Sequence, residues 1–183
     1  MRLLAMAIRA LSNAYGKALD IVIRTQRLLL RLPRAEDVED IHRIFGDPRV
    51  MTYWSGPAHK DVHQTAEWLA PILDDPAGSA LDYFIEFEGR LVGKLGCWRV
   101  PEIGFILAKD YWGRGIAREA LTGFIAHVQA MGLSDHLFAD VDPRNQRSKA
   151  LLEACGFLKT GSERNTLHTH IGWCDSDYYR LDL

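Results

Sequence analysis

Residues 102–121 read EIGFILAKDYWGRGIAREAL. Glu102 to Ala108 is a short apolar run of strand length. In the following stretch Ala117, Leu121, Phe124, Ile125 and Val128 recur at three- and four-residue spacing, a helical stripe that ends at Gly132. Gly113 and Gly115 stand between strand and helix. Glycine takes positive φ without strain, so the chain can turn consecutive N–H groups round one point, and the first helical turn adds unsatisfied donors and partial positive charge. A diphosphate suits such a cradle, with Arg114 as a second contact. A tight turn and helix cap accounts for the same glycines with no ligand. No Gly-Lys-Ser/Thr follows and the spacing is not GxGxxG, so neither ATP nor NAD is indicated.

Downstream, HLFADVDPRNQRSKALLEACGF (136–157) repeats the strand-then-helix order. Leu137 to Val141 reads as a strand and Asp142-Pro143 breaks it. Asn145 is a natural N-cap for a helix carrying Ser148, Leu151, Leu152 and Cys155, closed by Gly156. Asn145 and Ser148 lie about one turn apart on one side, able to face a ligand along the end of the strand; capping and surface filler are their bland alternatives. Upstream, DYFIEFEGRLVGKLGCWRV (82–100) reads as two strands hinged at Glu88-Gly89, which with EIGFILA makes an antiparallel meander. Further upstream, Leu28, Leu30 and Leu32 mark a strand stopped at Pro33. Val38, Ile41, Ile44 and Phe45 mark one helix, and Val62, Ala66, Leu69 and Leu73 a second.

The 183 residues are 48% hydrophobic, which suits one domain burying roughly 70% of its unfolded surface. Lys plus Arg number 22 against 24 Asp plus Glu, and the net charge of -2 gives no electrostatic reason to expect a nucleic-acid partner. The apolar run Leu3 to Ile8 falls far short of the roughly 20 residues a membrane span needs. Cys97, Cys155 and Cys174 are scattered, with no CxxC pair, so a disulfide framework or zinc ribbon is not indicated and a cytoplasmic home is expected. Residues 1–24 carry Arg2, Arg9, Lys17 and Arg24 against Asp20 and read as an extension, either a docked amphipathic helix or a start-site addition, before a single domain over 25–183.

Taken together, TQRLLLRLPRAEDVEDI (25–41), EIGFILAKDYWGRGIAREAL, NQRSKALLEACGF (145–157) and IGWCDSDYYRL (171–181) resemble the GNAT superfamily of acyl-CoA-dependent N-acetyltransferases, in the branch that includes the ribosomal-protein alanine and serine N-acetyltransferases. Trp112 stands where the superfamily more often has Gln or Arg. The resemblance implies an α/β fold, a mixed and mostly antiparallel sheet of six to seven strands flanked by about four helices, with two central strands splayed at a V-shaped cofactor cleft. It implies acetyl-CoA as co-substrate and no metal. Phe105, Ile106 and Leu107 would meet the pantetheine arm by their backbones, Ile106 or Leu107 supplying an oxyanion donor. Trp112, Gly113, Arg114, Gly115, Ile116 and Ala117 would hold the pyrophosphate, Asn145 the pantetheine, and Ser148 the departing thiolate.

The same resemblance makes Glu102 the candidate general base, acting directly or through a water; a solvated strand end is the alternative, and Pro101 beside it shortens the usual loop. The expected acceptor is the amino-terminal α-amine of a protein or peptide. A small amine, amino acid or aminoglycoside is the alternative, and an acyl-CoA-binding regulatory module or a hydrolase using Ser148 are rivals of other classes. Attack is direct, with no covalent enzyme intermediate, so Cys97 and Cys155 are structural. His168 and His170 are assigned to the acceptor pocket rather than to metal, and His59 and His63 to the surface. The loop from Gly46 to Lys60, with Tyr53 and Trp54, and the hairpin around Trp173 would shape acceptor choice. Family members often dimerise through strand or helix edges, so a homodimer is a further expected partner.

Overall fold

The computed structural model describes residues 22–74 and 81–183; the expected amino-terminal helix or extension lies almost wholly outside them. Strands β1 (Ile23–Arg24), β2 (Leu28–Arg31), β3 (Leu81–Phe87), β4 (Arg90–Arg99), β5 (Glu102–Leu107), β6 (His136–Val141), β7 (Leu158–Thr169) and β8 (Gly172–Asp182) form one sheet in the order β1-β2-β3-β4-β5-β6-β8-β7. Every neighbouring pair is antiparallel except β5 with β6. The sheet therefore has eight strands, not six or seven. The addition is β1, whose two residues are too short to show periodicity and which pairs Ile23 with Leu30 and Arg24 with Leu29. Four α-helices are described: α1 (Val38–Phe45), α2 (Val62–Asp74), α3 (Ile116–Met131) and α4 (Gln146–Ala154).

Local chemistry sets the turns. Glu88 and Gly89 both take positive φ, 52° and 73°, the backbone twist a tight two-residue hairpin requires. Gly115 caps α3 in the left-handed region at 74°, and Gly132 ends it at 60°. Asn145 caps α4, its Oδ1 accepting the Ser148 N–H at 3.2 Å.

The sheet divides the core in two. On one face, Ile116, Leu121, Phe124 and Val128 of α3 and Leu152 of α4 pack on Leu30, Leu95, Ile103, Leu137 and Tyr179. On the other, Ile41, Ile44 and Phe45 of α1 and Leu69 of α2 pack on Phe84 and Ile106, with Phe45 edge-on to Trp68 at 4.5 Å. Each fully buried large apolar side chain stabilises by about 2 kcal/mol. Alternation then assigns the remaining side chains. Leu137, Ala139 and Val141 of β6 face α3, so Phe138 and Asp140 face away; Tyr179 of β8 faces α3, so Ser176 and Tyr178 face away with them, Phe138 and Tyr178 lying 5.7 Å apart. None of the four α-helices covers this second face beyond β5.

Arg31 departs from its sequence pattern. It follows three leucines in a strand and is nonetheless buried, Nη2 bonding Asp37 Oδ1 and Nε bonding Glu86 Oε1, each at 2.6 Å. The two carboxylates raise its pKa above the ordinary value despite the cost of burial. This ion triad ties the short 3-10 turn before α1 to β2 and β3.

Candidate active site

The parallel contact between β5 and β6 is one register pair, Glu102 with Phe138, next to a hydrogen bond from the Phe138 N–H to the Pro101 carbonyl at 3.0 Å. Beyond it the strands diverge. The Ala108 N–H donates to Val92 of β4 at 2.8 Å, and the Ile106 carbonyl is turned so closely toward Gly93 that a Cβ there would meet it at 2.5 Å. Backbone groups along a strand alternate, so Ile106 faces β4 while Phe105 and Leu107 face the gap. Of the two expected oxyanion donors, the Leu107 N–H is therefore the one directed into the gap, and Ile106 is spent on the ladder.

The gap opens into a cleft of about 1210 Å³. At its wide end sit Gly113 and Gly115 with φ of 72° and 74°, and nothing lies within 4 Å of the Cβ that Gly113 lacks, so conformation and not crowding requires that glycine. Ile116, Ala117, Asn145 and Ser148 also line the cleft. Arg114 does not: its guanidinium rests 5.1 Å from the Phe87 ring and 5.3 Å from that of Tyr111, and its carbonyl accepts from Arg27 at 3.2 Å. The cations that line the cleft include Arg118 and Arg147, beside the amino termini of α3 and α4, and Lys109 just past β5. Among the described residues none of these three has a carboxylate within 4.0 Å.

Toward the narrow end the lining changes sign. Glu102 is exposed there, and Asp140 lies across the gap on the face that α1 and α2 leave bare. Partial burial in the cleft wall, and then the nearby Asp142 carboxylate, hold the Asp140 carboxyl above its ordinary value against a hydrogen bond from Ser176. The Gly46–Lys60 loop contributes Thr52, Tyr53 and Trp54, and the β7–β8 hairpin contributes Leu167, Ile171 and Asp175. Trp98 borders the cleft with 68% of its surface exposed. Trp54 and Trp68 flank the Lys94 ammonium at 5.8 and 5.3 Å, and that ammonium meets buried Asp82 at 2.9 Å.

Other expected residues fall elsewhere. His168 lies edge-on to Trp173 at 5.2 Å, and neither His168 nor His170 lines the cleft. His59 is half-buried, its Nδ1 2.9 Å from the Thr65 hydroxyl and its ring against Phe45; His63 is exposed. Among the described residues no three His, Cys, Asp or Glu side chains gather as a metal site. Nor is any described helix long and apolar enough to cross a membrane. Burial pushes the Cys97 thiol up to about 12 and raises that of Cys155, which removes their nucleophilic thiolate near neutrality.

Sequence reasoning passed over Asp140, Arg118 and Arg147. Strict alternation in HLFADV already sets Asp140 opposite the leucine and valine face; that this face is bare depends on where distant helices land.

An open mixed sheet with two parallel strands parting over a glycine-capped helix defines an acyl-transferase class of fold. Residues 27–158 match the family model described as the acetyltransferase (GNAT) domain, and the chain belongs to that family. The uncharacterized protein YkkB of Bacillus subtilis (strain 168) is 32% identical over 147 residues, 72% of this chain and 82% of that one. The uncharacterized N-acetyltransferase p20 of Bacillus licheniformis is 27% identical over 150 residues, covering 77% and 84%. Among solved structures, the ribosomal L7/L12 alpha-N-protein acetyltransferase RimL in complex with coenzyme A superposes with a TM-score of 0.81 at 20% identity, covering 88% of this chain and 98% of that one.

Proposed function

We propose that this chain carries an acetyl group from acetyl-CoA to a primary amine by direct attack, and that the acceptor is the amino-terminal α-amine of a protein or peptide. The observation that carries the reading is the parting of β5 from β6 after a single pair, with the backbone groups of Phe105 and the N–H of Leu107 facing the gap and a left-handed glycine turn at its wide end. The residues fit the cofactor: an extended arm bearing amides can add to β5 as a strand, and phosphates meet the α3 amino terminus with Arg118 and Arg147 beside it. Bound acetyl-CoA supplies an activated acyl carbon and a thiolate leaving group.

The protein's own part is to bind, orient and move protons. Glu102 accepts a proton from the acceptor ammonium, directly or through a water. That task is light for an α-amine of pKa about 7.7 to 8.0, roughly a quarter neutral at about pH 7.4, and heavy for lysine at about 10.4. Of the two N–H groups that face the gap, that of Phe105, the nearer to Glu102, stabilises the negative charge that grows on the carbonyl oxygen, and that of Leu107 meets the arm. The Ser148 hydroxyl, half-buried on α4, donates to the departing sulfur, and Asn145, with its oxygen committed to the helix cap, offers its amide N–H groups.

The RimL likeness supports an α-amine acceptor. A small cationic amine is the second reading, favoured by Asp140, which opens to the cleft with no cation of the described chain within 4.0 Å.

Thermal unfolding tests the cofactor. At about 100 times the dissociation constant a ligand adds roughly 2.7 kcal/mol, so saturating acetyl-CoA should raise the midpoint by about 5 to 10 °C while NAD and ATP do not. Equal shifts from all three, or none, sink the reading. Mass spectrometry of peptide and small-amine panels then decides the acceptor, since an α-amine product gains one acetyl group at its amino terminus.

A further inference from the structure

Trp112 was expected to meet phosphate, yet its indole is committed elsewhere. Nε1–H donates to the Leu107 carbonyl at 2.7 Å, and the Arg147 guanidinium lies 4.6 Å from the ring centroid. Leu107 is the last residue of β5, while Arg147 sits in the first turn of α4, which follows β6. Trp112 thus spans the parted strands at their wide end.

The hydrogen bond matters because of what it removes. An extended chain adding to β5 pairs with groups that face the gap: the N–H and C=O of Phe105 and the N–H of Leu107. The next acceptor in that row is the Leu107 carbonyl, and Trp112 already holds it. A strand carries no intrinsic register, and slipping by one repeat of two residues shifts it by about 6.6 Å. We propose that Trp112 is a positioning residue that acts as a register stop: by capping the Leu107 carbonyl it bars the amide-bearing arm of the cofactor from slipping outward toward the wide end, so that the arm meets the Leu107 N–H and its acyl carbonyl lies further in, at the Phe105 N–H. The cation stack of Arg147 holds the stop in line with α4. The proposal rests on the acetyl-CoA reading given above.

Trp112→Phe keeps an aromatic face for Arg147, though a smaller one, and deletes the donor. It should bind acetyl-CoA within about three-fold of the native protein, with a thermal midpoint close to native, while kcat falls by about ten-fold or more, because a misplaced reacting group costs rate without costing binding. An unchanged kcat overturns the proposal, as does a kcat loss that merely follows lost affinity or lost stability. A second measurement needs no folded variant. The Trp112 indole N–H signal, one of five in the protein, should stay slow to exchange when coenzyme A is added, while the Phe105 and Leu107 amides become protected. If the indole N–H instead loses protection on binding, the arm has taken the Leu107 carbonyl and the stop does not exist. Failure of the native protein to bind coenzyme A at all removes the acetyl-CoA reading and the stop with it; binding and turnover with a released indole removes the stop alone.

Discussion

From β2 to β5 the sheet is packed on both faces, by α3 on one and by α1, α2 and the turn before α1 on the other; β6 and β8 are packed on one, and the outermost strand β7 buries no residue. The doubly covered half buries an Arg31–Asp37–Glu86 triad and a Phe45–Trp68 edge contact. The singly covered half leaves Trp173 63% and Leu158 73% exposed and lines the acidic end of the cleft. The difference separates two tasks within one sheet. Stability concentrates where two layers close over the strands, and acceptor chemistry has room where the second layer stops.

The sharpest way to break this division is to remove Arg31. Arg31→Met strands two carboxylates inside the covered half, so it should cost about 3 to 5 kcal/mol and lower the melting midpoint by about 10 °C, while turnover of the remaining folded protein stays near native at low temperature. Loss of turnover without loss of stability contradicts the division. The converse change is Glu102→Gln at the bare edge. Steady-state kinetics should show turnover lower by about 100-fold, with acetyl-CoA affinity and melting point retained; unchanged activity across pH removes Glu102 from the mechanism.

Asp177 supplies an intermediate case, because it anchors the bare half from its covered side. Its carboxylate meets Lys149 of α4 at 2.9 Å and Lys159 of β7 at 2.6 Å, and accepts from Ser162 at 2.6 Å. Burial alone would raise its pKa, but these three partners together hold it well below the ordinary carboxylate value. A depressed carboxylate stabilises the fold above its unfolded pKa and ceases to do so as pH falls through its folded one. Asp177→Asn should therefore cost about 2 kcal/mol near neutrality, and the gap from native should shrink in melts taken below about pH 4. A gap that persists in strong acid shows that packing, not charge, is responsible. The smallest expected effect is Asp140→Asn, which should lower kcat/KM by about five-fold for acceptors bearing a second positive charge and leave neutral-flanked amines nearly untouched.

Much of this was legible in the residues. The positive-φ glycines of WGRGIA, the Asn145 cap and the Glu88-Gly89 turn are local devices, and local devices are written in adjacent residues. Arg31 was not, since a charged residue in an apolar strand reads as solvent-facing until Asp37 and Glu86 are brought to it by the fold. Nor was the choice between Ile106 and Leu107, which depends on the phase of pairing with β4, nor the turn of Arg114 onto Phe87 and Tyr111. Phase, face and stacking are relations between distant segments, and a single chain read in order does not record them.

The change of sign along the cleft has a consequence for encounter rates. The chain as a whole carries only -2, too little to draw either reactant from a distance. Lys109, Arg118 and Arg147 at one end and Glu102 and Asp140 at the other nevertheless act within a screening length of about 8 Å at physiological salt. A polyanion and a cation approaching the same opening are each favoured at opposite ends, so neither obstructs the other's path, and added salt should slow both arrivals while leaving the proton transfer between them unaffected.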